Sequence, residues 1–331
     1  MRALITGAAG QDGTILASHL ANNGAELVGL TKPGTDHTRL LRYVPSMPVI
    51  ETDLADTAGL RDVITEVQPT HVWNFGGLSD AASSWDNPDE VWTLNFESLE
   101  VMLGALRRVN PGGRLFQAAS AHIFEGADRS PQSESFELSP KSPYARSKSS
   151  ALELVRRYRS EHGMFAVSGI LYNHESPLRG ENFVTRKVSK AVARISAGLQ
   201  ERLELGDIEV ARDWGWAPDY VRATLLMLSA DEPKDYVLAT GISHRLSFFI
   251  QKAFAAVGIT DWQNYVVARK SDRPVDTNKM VGDSRSAYLE LGWRHTVDFD
   301  SIAQRMVEHD LELLRDPDAL WWDPWMGDPI N

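Results

Sequence analysis

Short apolar runs alternate with segments of helical spacing along the first half of the chain. The run Ala3-Leu-Ile-Thr6 is followed by a segment in which apolar residues recur every three to four positions, and further runs occupy 26–30, 48–54, 70–77 and 113–120. An apolar run without alternation is typical of a strand that is buried on both faces of a sheet. This pattern predicts an α/β fold built on a doubly wound parallel sheet.

Glycines stand at three spaced positions between the first predicted strand and the first predicted helix. The segment reads Gly7-Ala-Ala-Gly10-Gln11-Asp12-Gly13. Glycine permits the tight turn, lets backbone amides approach a pyrophosphate, and lets the helix pack on the strand. The helix N-terminus then faces the anion. Strand, glycine triplet and helix in this order predict a Rossmann dinucleotide site in which these residues contact the cofactor.

The end of the second predicted strand bears on the choice of cofactor. A carboxylate there would accept from the ribose 2′-hydroxyl of NAD, but the strand continues into Lys32, and Arg39 follows. These cations suit a 2′-phosphate, so NADP is predicted, with NAD possible and Asp36 as the residue that would favour NAD. Asp53 and Leu54 end the next strand, where Asp53 could accept from the adenine amino group.

A tyrosine and a lysine four residues apart, Tyr144 and Lys148, form the clearest candidate for catalysis. On a helix they share one face, and a nearby cation favours phenolate over phenol. Tyr144 could then act as general base and afterwards as general acid for a substrate oxygen. Ser120 ends a predicted strand, and ligands of open α/β sheets bind beyond the carboxyl ends of strands.

The glycine triplet, Ser120, and the Tyr144–Lys148 pair in this order resemble the extended short-chain dehydrogenase/reductase family. The resemblance implies that Ser120 hydrogen-bonds the reacting oxygen and that Tyr144 transfers its proton. It also implies that Lys148 lowers the pKa of Tyr144 and holds the nicotinamide ribose. A non-catalytic NADP sensor is the rival from another class, but such a protein would be expected to lose one of these three residues.

Composition excludes several other functions. The formal net charge of −11 argues against a general nucleic-acid surface, and the absence of cysteine excludes disulfides and thiolate metal sites. Neither a long apolar stretch nor a metal-ligand spacing of Asp, Glu and His is present. With no signal-peptide layout at the start, we expect a cytoplasmic protein that binds neither a membrane nor a metal.

Four segments further resemble the GDP-mannose 4,6-dehydratase family of that superfamily. They are Gly-Gln-Asp-Gly at 10–13, Asn-His-Glu-Ser-Pro at 173–177, Phe-Val-Thr-Arg-Lys at 183–187 and Arg-Asp-Trp-Gly at 212–215. The resemblance covers roughly residues 2–295. It implies an NADP-dependent enzyme acting on a nucleoside-diphosphate hexose, a GDP-linked one, through transient oxidation at C4.

The same resemblance implies which residues bind the nucleotide sugar. They are Asn173 at the diphosphate, Val184 and Lys187 at the base, Arg212 and Arg273 as the diphosphate clamp, and Asp276 at the ribose. Arginine forks match phosphate oxygens bidentately, which supports the clamp. Arg186 is used by the family near the cofactor and a neighbouring subunit. Leu178 and Trp216 depart from the family's Arg and His.

The catalytic strand end departs from the family at His122, where the dehydratases have a Glu that removes the C5 proton. Imidazole could serve as base and then as acid in the elimination. Alternatively, the site could return hydride to the opposite face as a C4-epimerase, or act as a 4-ketoreductase or C4-oxidase. His122 could also be a packing contact. The dehydratase is the leading hypothesis.

We expect residues 1–171 to form the NADP-binding domain, with 233–264 returning to it, and 172–232 plus 265–331 to form a smaller α/β substrate lobe. The tail Leu320-Trp-Trp-Asp-Pro-Trp325 is either a subunit contact or a segment folded back over its own domain. A homodimer or homotetramer is expected.

Overall fold

The computed structural model describes residues 1–79, 81, 83–269 and 280–327. The strands are β1 (Arg2–Thr6), β2 (Glu26–Thr31), β3 (Val49–Glu51), β4 (His71–Asn74), β5 (Arg114–Ser120), β6 (Phe165–Leu171), β7 (Asn173–Glu175), β8 (Leu203–Leu205), β9 (Ala211–Trp216), β10 (Tyr236–Leu238), β11 (Ser243–Arg245) and β12 (Val266–Ala268). The helices are α1 (Gln11–Asn22), α2 (Thr38–Tyr43), α3 (Thr57–Val67), α4 (Pro88–Trp92), α5 (Ser98–Val109), α6 (Pro143–His162), α7 (Val184–Ser196), α8 (Ala217–Ser229), α9 (Leu246–Ala255), α10 (Arg285–Leu291) and α11 (Phe299–Arg315). Within these ranges, no helix has the length and apolarity needed to cross a bilayer.

Seven parallel strands form the central sheet, in the order β3-β2-β1-β4-β5-β6-β10. The strand order reverses between β1 and β4, which is where open α/β sheets bind ligands. The carboxyl ends of β1, β4, β5 and β6 therefore meet along one edge. The doubly wound fold predicted from the apolar runs is confirmed.

Both faces of this sheet are covered because its strands are apolar on both sides. Leu4 and Val72 pack with side chains of α3, α5 and α6, whereas Ala3, Ile5 and Trp73 belong to the cluster that includes α1 and α8. All five side chains are fully buried. Their successive alternation between two clusters is the geometry expected of strands with helices on each face.

A smaller lobe is built on strands β7, β9 and β11. Strands β7 and β9 are parallel, β11 is antiparallel to β9, and β8 pairs with β12 in a separate two-stranded sheet. Helices α7, α9 and α11 pack on one another beside these strands. The apolar cluster under α1 and α8 continues into this lobe through Val188, Phe249 and Ile302. One continuous core therefore joins the lobe to the central sheet.

The predicted domain limits of 1–171 with 233–264 and of 172–232 with 265–331 stay a prediction, and several elements have contacts across them. Strand β10 returns to the central sheet beside β6. Strand β11 and helix α9 also belong to the segment 233–264. Strand β11 pairs with β9, and helix α9 packs on α11. Helix α8 packs on β5, β6 and α1. The chain thus passes between the two sheets several times.

The C-terminal tail folds back on its own chain: it contacts Trp216 of the lobe to which it was assigned, and also α1 and α2 of the other predicted domain. The Tyr43 hydroxyl donates to the carbonyl oxygen of Trp321 (2.7 Å) and accepts from its backbone N–H (3.0 Å). The Trp325 indole stacks on the His19 ring with centroids 4.0 Å apart. The tail therefore covers α1 and α2 with aromatic surface.

Trp216, where the family has a His, anchors the same tail. Its indole N–H donates to Asp323 Oδ2 (2.8 Å), and its ring meets the Trp321 ring edge-on at 5.3 Å. The Arg305 guanidinium lies 5.3 Å from the centre of the Trp216 ring. The substitution at this position therefore contributes to internal packing.

We expect Tyr43→Phe to destabilise the protein by about 1–3 kcal/mol, because two buried backbone groups of Trp321 lose their hydrogen-bond partner. The measurement is the free energy of unfolding in urea. Tyr288→Phe is the matched control, since Tyr288 is 42% exposed. The control should lie within about 0.5 kcal/mol of wild type. Equal effects of the two changes would contradict a stabilising role for the tail contact.

Candidate active site

A cavity of about 340 Å³ lies at the carboxyl ends of β5 and β6. The start of α6, strand β7 and the loop after β7 complete its wall. The predicted site residues that line it are Asp12, Ser120, His122, Tyr144, Lys148 and Asn173. Residues from four segments that are distant in sequence therefore meet in one cavity.

Helix α6 brings Tyr144 and Lys148 to this cavity because of how it begins. Ser142 is the N-cap and its hydroxyl accepts from the backbone N–H of Ala145 (3.2 Å), while Pro143 occupies the first helical position. Both features favour a helix start at this point. Tyr144 and Lys148 then lie one turn apart and are each 6% exposed.

Lys148 is held against β5 by its own ammonium group. Its Nζ donates to the carbonyl oxygen of Ala118 (3.0 Å) and lies 5.9 Å from the centre of the Tyr144 ring. Burial lowers the pKa of Lys148 to about 8. The side chain therefore keeps its charge at neutral pH and loses it under mildly alkaline conditions.

The imidazole of His122 lies next to the Tyr144 phenol. The ring centres are 5.6 Å apart and the ring planes are at 79°. The backbone N–H of His122 donates to Ser120 Oγ (3.3 Å), and its Nδ1 lies 3.2 Å from Glu125 Oε2. Hydroxyl, imidazole and phenol thus border one space, which suits proton transfer to and from a bound substrate.

The glycine-rich loop leaves no room for side chains at two positions. Gly7 has a φ of +66°, and a Cβ there would lie 2.9 Å from the backbone nitrogen of Gly76. A Cβ at Gly13 would lie 2.4 Å from the Gly7 carbonyl oxygen. The loop therefore keeps its backbone open at the start of α1, as binding of a pyrophosphate requires. These residues fit a dinucleotide.

A second cavity of about 440 Å³ adjoins this loop and shares Phe75 and Ser79 with the first. The predicted cofactor contacts that line it are Gly7, Gly10, Lys32, Asp53 and Leu54. Arg39 is placed differently: its guanidinium donates to the carbonyl oxygens of Ala9 (2.8 Å) and Leu178 (3.1 Å). Lys32 is thus the predicted phosphate cation that lines the cavity, and Arg39 braces the loop.

An ion pair that sequence reasoning missed connects the glycine loop to the smaller lobe. His174 Nε2 lies 3.0 Å from Asp12 Oδ2, and its Nδ1 lies 2.7 Å from the Tyr172 carbonyl oxygen. Both partners only accept, so both ring nitrogens carry hydrogen and His174 is an imidazolium. Burial opposes this charge, but Asp12 outweighs it and raises the pKa of His174. Burial also opposes ionisation of Asp12, yet His174 holds the Asp12 pKa below its usual value.

Gln11 forms a second connection between the same two regions. Its side-chain oxygen accepts from Ser176 Oγ (2.8 Å), and its amide donates to the His174 carbonyl (3.1 Å). Gln11 is thus buried between loop and lobe. The spacing of the glycines drew attention to the loop but gave no sign of these partners, which lie more than 160 residues away.

Arg179 is a further cavity residue to which sequence reasoning gave no role. Its guanidinium lies 3.5 Å from the centre of the Phe183 ring, and its Nε lies 3.3 Å from Glu175 Oε2. A fixed cation therefore borders the cavity near Asn173. The sequence signal that could have identified Arg179 was its position two residues after the Asn-His-Glu-Ser-Pro segment.

The remaining predicted substrate residues lie away from this cavity or outside the described part of the chain. Val184 and Lys187 are in the first turn of α7 and are not part of the lining. Arg212 lies on β9, where Nη1 donates to the carbonyl oxygen of Ala211 (2.8 Å). Arg273 and Asp276 fall within residues 270–279, outside the described residues.

Arg186 has a structural partner in the smaller lobe. Its guanidinium is buried and forms an ion pair with Asp310 of α11, which is also buried. Ser189 lies within hydrogen-bond distance of the same guanidinium nitrogen, at 3.3 Å. The pair joins α7 to α11, so this side chain is engaged inside the lobe.

Comparison with known proteins identifies similar sequences over nearly the whole chain. The family model for GDP-mannose 4,6 dehydratase matches residues 4–306. GDP-mannose 4,6 dehydratase 1 of Arabidopsis thaliana is 38% identical over 328 residues, which cover 95% of this chain and 90% of the relative. The human GDP-mannose 4,6 dehydratase is 35% identical over 346 residues, covering 95% and 92% respectively.

Solved structures with the same fold include a UDP-glucose 4-epimerase from Thermotoga maritima with UDP-glucose, at a TM-score of 0.82 and 20% identity. It covers 95% of this chain and 100% of that chain. RMD from Pseudomonas aeruginosa complexed with NADPH has a TM-score of 0.78 and 21% identity, covering 94% and 99%. At these identities the likeness concerns the fold alone.

We expect Asp12→Asn to lower the free energy of unfolding by about 3 kcal/mol at pH 6, because the buried imidazolium of His174 loses its anion. The lowered pKa of Asp12 and the raised pKa of His174 mean that the pair contributes fully between their unfolded-state values, 3.8 and 6.5, and loses its contribution as pH rises through the folded-state pKa of His174. Neutral His174 can accept from the introduced amide, so the deficit of the variant should shrink with rising pH.

The measurement is urea unfolding of wild type and variant between about pH 6 and pH 9, across the range in which histidine titrates. Asp62→Asn, at an exposed position of α3, is the control and should leave the curve unchanged. Parallel curves for wild type and Asp12→Asn would contradict a charged His174.

Proposed function

The chain belongs to the GDP-mannose 4,6-dehydratase family, and on that premise we propose that it removes water from a GDP-linked hexose. GDP-mannose is the first candidate substrate. The product would be the 4-keto-6-deoxy sugar. The supporting observation is that Ser120, His122, Tyr144 and Lys148 border one cavity beside the glycine-rich dinucleotide loop.

NADP is the proposed cofactor, with NAD possible. Gly7 and Gly13 leave the backbone accessible to a pyrophosphate, and Lys32 supplies a cation at the adenosine end. The nicotinamide, when bound, would accept a hydride from C4 of the sugar and later return it to C6. The protein residues supply the proton transfers and the orientation.

Oxidation at C4 requires a base for the C4 hydroxyl proton, and Tyr144 is the proposed base. The charged ammonium of Lys148 favours the phenolate form, and Ser120 is proposed to hydrogen-bond the same sugar oxygen. The ammonium is fixed by the Ala118 carbonyl before substrate arrives. Little rearrangement is then needed when the proton moves to Tyr144.

Elimination requires a second base, and His122 is proposed for this step. The C4 carbonyl acidifies the C5 proton, which moves to the imidazole as the C5–C6 double bond forms and the C6 hydroxyl departs. Imidazolium can then protonate the departing hydroxyl, giving water. A final proton, drawn from solvent through His122, is delivered to C5 as hydride returns to C6, and Tyr144 releases to solvent the proton it took from the C4 hydroxyl, so the sequence balances and is redox-neutral. C4 epimerisation is the alternative outcome of the assay described below.

Further substrate contacts, of which only Asn173 lines the cavity among the described residues, extend the proposal. Asn173 would contact the diphosphate, Val184 and Lys187 the guanine, and Arg212 and Arg273 would clamp the phosphates, with Asp276 at the ribose. A cytoplasmic location and a homodimeric or homotetrameric assembly complete the proposal.

Incubation with GDP-mannose and NADP in D₂O is expected to give a product lighter by one water that carries solvent deuterium at C5. Mass spectrometry and NMR of the sugar provide the measurement. His122→Ala should abolish this product, and Tyr144→Phe should lower all turnover by at least about 100-fold.

An isomer of unchanged mass without solvent deuterium would instead establish epimerisation and contradict the dehydratase proposal. Full dehydration by His122→Ala would contradict the role of the imidazole alone.

The activity should also fall as pH rises above about 8, the value to which burial lowers the pKa of Lys148. A neutral amine no longer favours the Tyr144 phenolate, so kcat/KM should decline on the alkaline side. Lys148→Arg stays protonated throughout, and its lower activity should lack this decline. The same alkaline limb in both proteins would assign the titration to another group.

A further inference from the structure

The carboxylate of Glu125 lies between His122 and the beginning of α6. Its Oε2 is 3.2 Å from His122 Nδ1 and 3.2 Å from the Ser142 hydroxyl. Its Oε1 accepts from the backbone N–H of Lys141 (2.6 Å) and from that of Ser142. The side chain is 17% exposed, so these partners replace most of its water.

Glu125 accepts hydrogen bonds at both oxygens in this position. Burial raises the pKa of Glu125, but hydrogen bonds from His122, Ser142 and Lys141 outweigh burial and hold it below the usual value. An ionised carboxylate has no proton to donate. The hydrogen atom between the two side chains therefore belongs to His122 Nδ1.

A neutral imidazole with hydrogen on Nδ1 has its lone pair on Nε2. His122 lines the catalytic cavity, and its ring stands at 79° to that of Tyr144. A base must present a lone pair to the proton that it removes. The tautomer selected by Glu125 is thus the one in which His122 can remove a proton with Nε2.

We propose that Glu125 is a positioning residue that fixes the Nδ1–H tautomer of His122, so that Nε2 can take the C5 proton during elimination. This inference rests on the proposed dehydratase function. The bond to C5 hydrogen breaks and one to Nε2 forms, while the C5–H electrons form the double bond that expels the C6 hydroxyl.

Glu125 also places His122 relative to Tyr144. The same carboxylate receives hydrogen bonds from Ser142, and Ser142 caps the helix that carries Tyr144 two residues later. The two proposed proton carriers, for C4 and for C5, are therefore held by one anion. If Glu125 only stabilised the start of α6, either tautomer of His122 would be compatible with that role.

Glu125→Gln separates the two readings. The amide oxygen can still accept from the backbone N–H groups of Lys141 and Ser142, but its NH₂ would face His122 Nδ1 and favour the Nε2–H tautomer. We expect dehydration of GDP-mannose to fall by at least about 100-fold, as for other wrong-tautomer histidines. Formation of reduced nicotinamide in a single turnover, which reports C4 oxidation, should change far less.

The tautomer itself can be read from imidazole ¹⁵N chemical shifts, with the His122 signal assigned by its loss in His122→Ala. Wild type should show hydrogen on Nδ1 and Glu125→Gln on Nε2. Hydrogen on Nε2 in wild type would overturn the proposal even if the variant did not fold. Ser142→Ala, which removes the cap hydroxyl, is the control for capping and should keep both the wild-type tautomer and the ratio of oxidation to dehydration.

A second background tests whether Glu125 acts through His122. His122→Glu restores the family's residue, and a carboxylate has no tautomer for Glu125 to fix. In that background, adding Glu125→Gln should lower the dehydration rate by less than about tenfold. An equal loss in both backgrounds, or normal dehydration by Glu125→Gln, would overturn the positioning role alone. Wild-type protein that never dehydrates the sugar would instead remove the proposed function and this inference with it.

Discussion

The buried ammonium of Lys148 is the constraint around which the catalytic edge of the sheet is organised. Lowering its pKa from 10.5 to about 8 corresponds to a cost of about 3 kcal/mol for keeping it charged at neutral pH. The hydrogen bond from this ammonium to the Ala118 carbonyl fixes α6 to β5. Since Tyr144 lies one turn before Lys148 and Ser120 ends β5, the same contact determines the spacing of the proposed catalytic groups.

The glycine loop at residues 7–13 also has both a structural role and a role in the proposed chemistry. Close approach of Gly7 to the backbone of Gly76, and of Gly13 to Gly7, fixes the loop on its cofactor side. Gln11 and Asp12, between those glycines, contact Ser176 and His174 of the smaller lobe on the other side. The loop proposed to bind the cofactor therefore also borders, through Asp12, the cavity lined by Ser120, His122 and Tyr144.

Local patterns predicted the parts of this structure that local physics determines. Unalternating apolar runs identified the buried parallel strands, and the four-residue spacing of Tyr144 and Lys148 identified two side chains on one face of α6, because both patterns depend on neighbouring residues. The ion pair of Asp12 with His174 could not be predicted, since it joins residues 162 positions apart. Arg39 was interpreted by its charge and Arg186 by the family resemblance, whereas their partners are two backbone carbonyls and a buried aspartate, respectively. Trp216 was noted only as a departure from the family's His, and it anchors a tail whose course is fixed by the tertiary structure.

The exchange of the family's glutamate for His122 looks like a loss of charge when only one position is considered. The structure places a carboxylate, Glu125, directly behind the imidazole. With His122 neutral, the pair carries the same single negative charge as one glutamate, but that charge is held by the backbone amides of Lys141 and Ser142, just before α6. The group that faces the sugar is then an imidazole, and its tautomer determines which ring nitrogen presents the lone pair. A neutral base also avoids placing an anion beside a substrate that already carries a diphosphate. Relative to the family, the base is therefore retained as His122, and the negative charge lies behind it on Glu125.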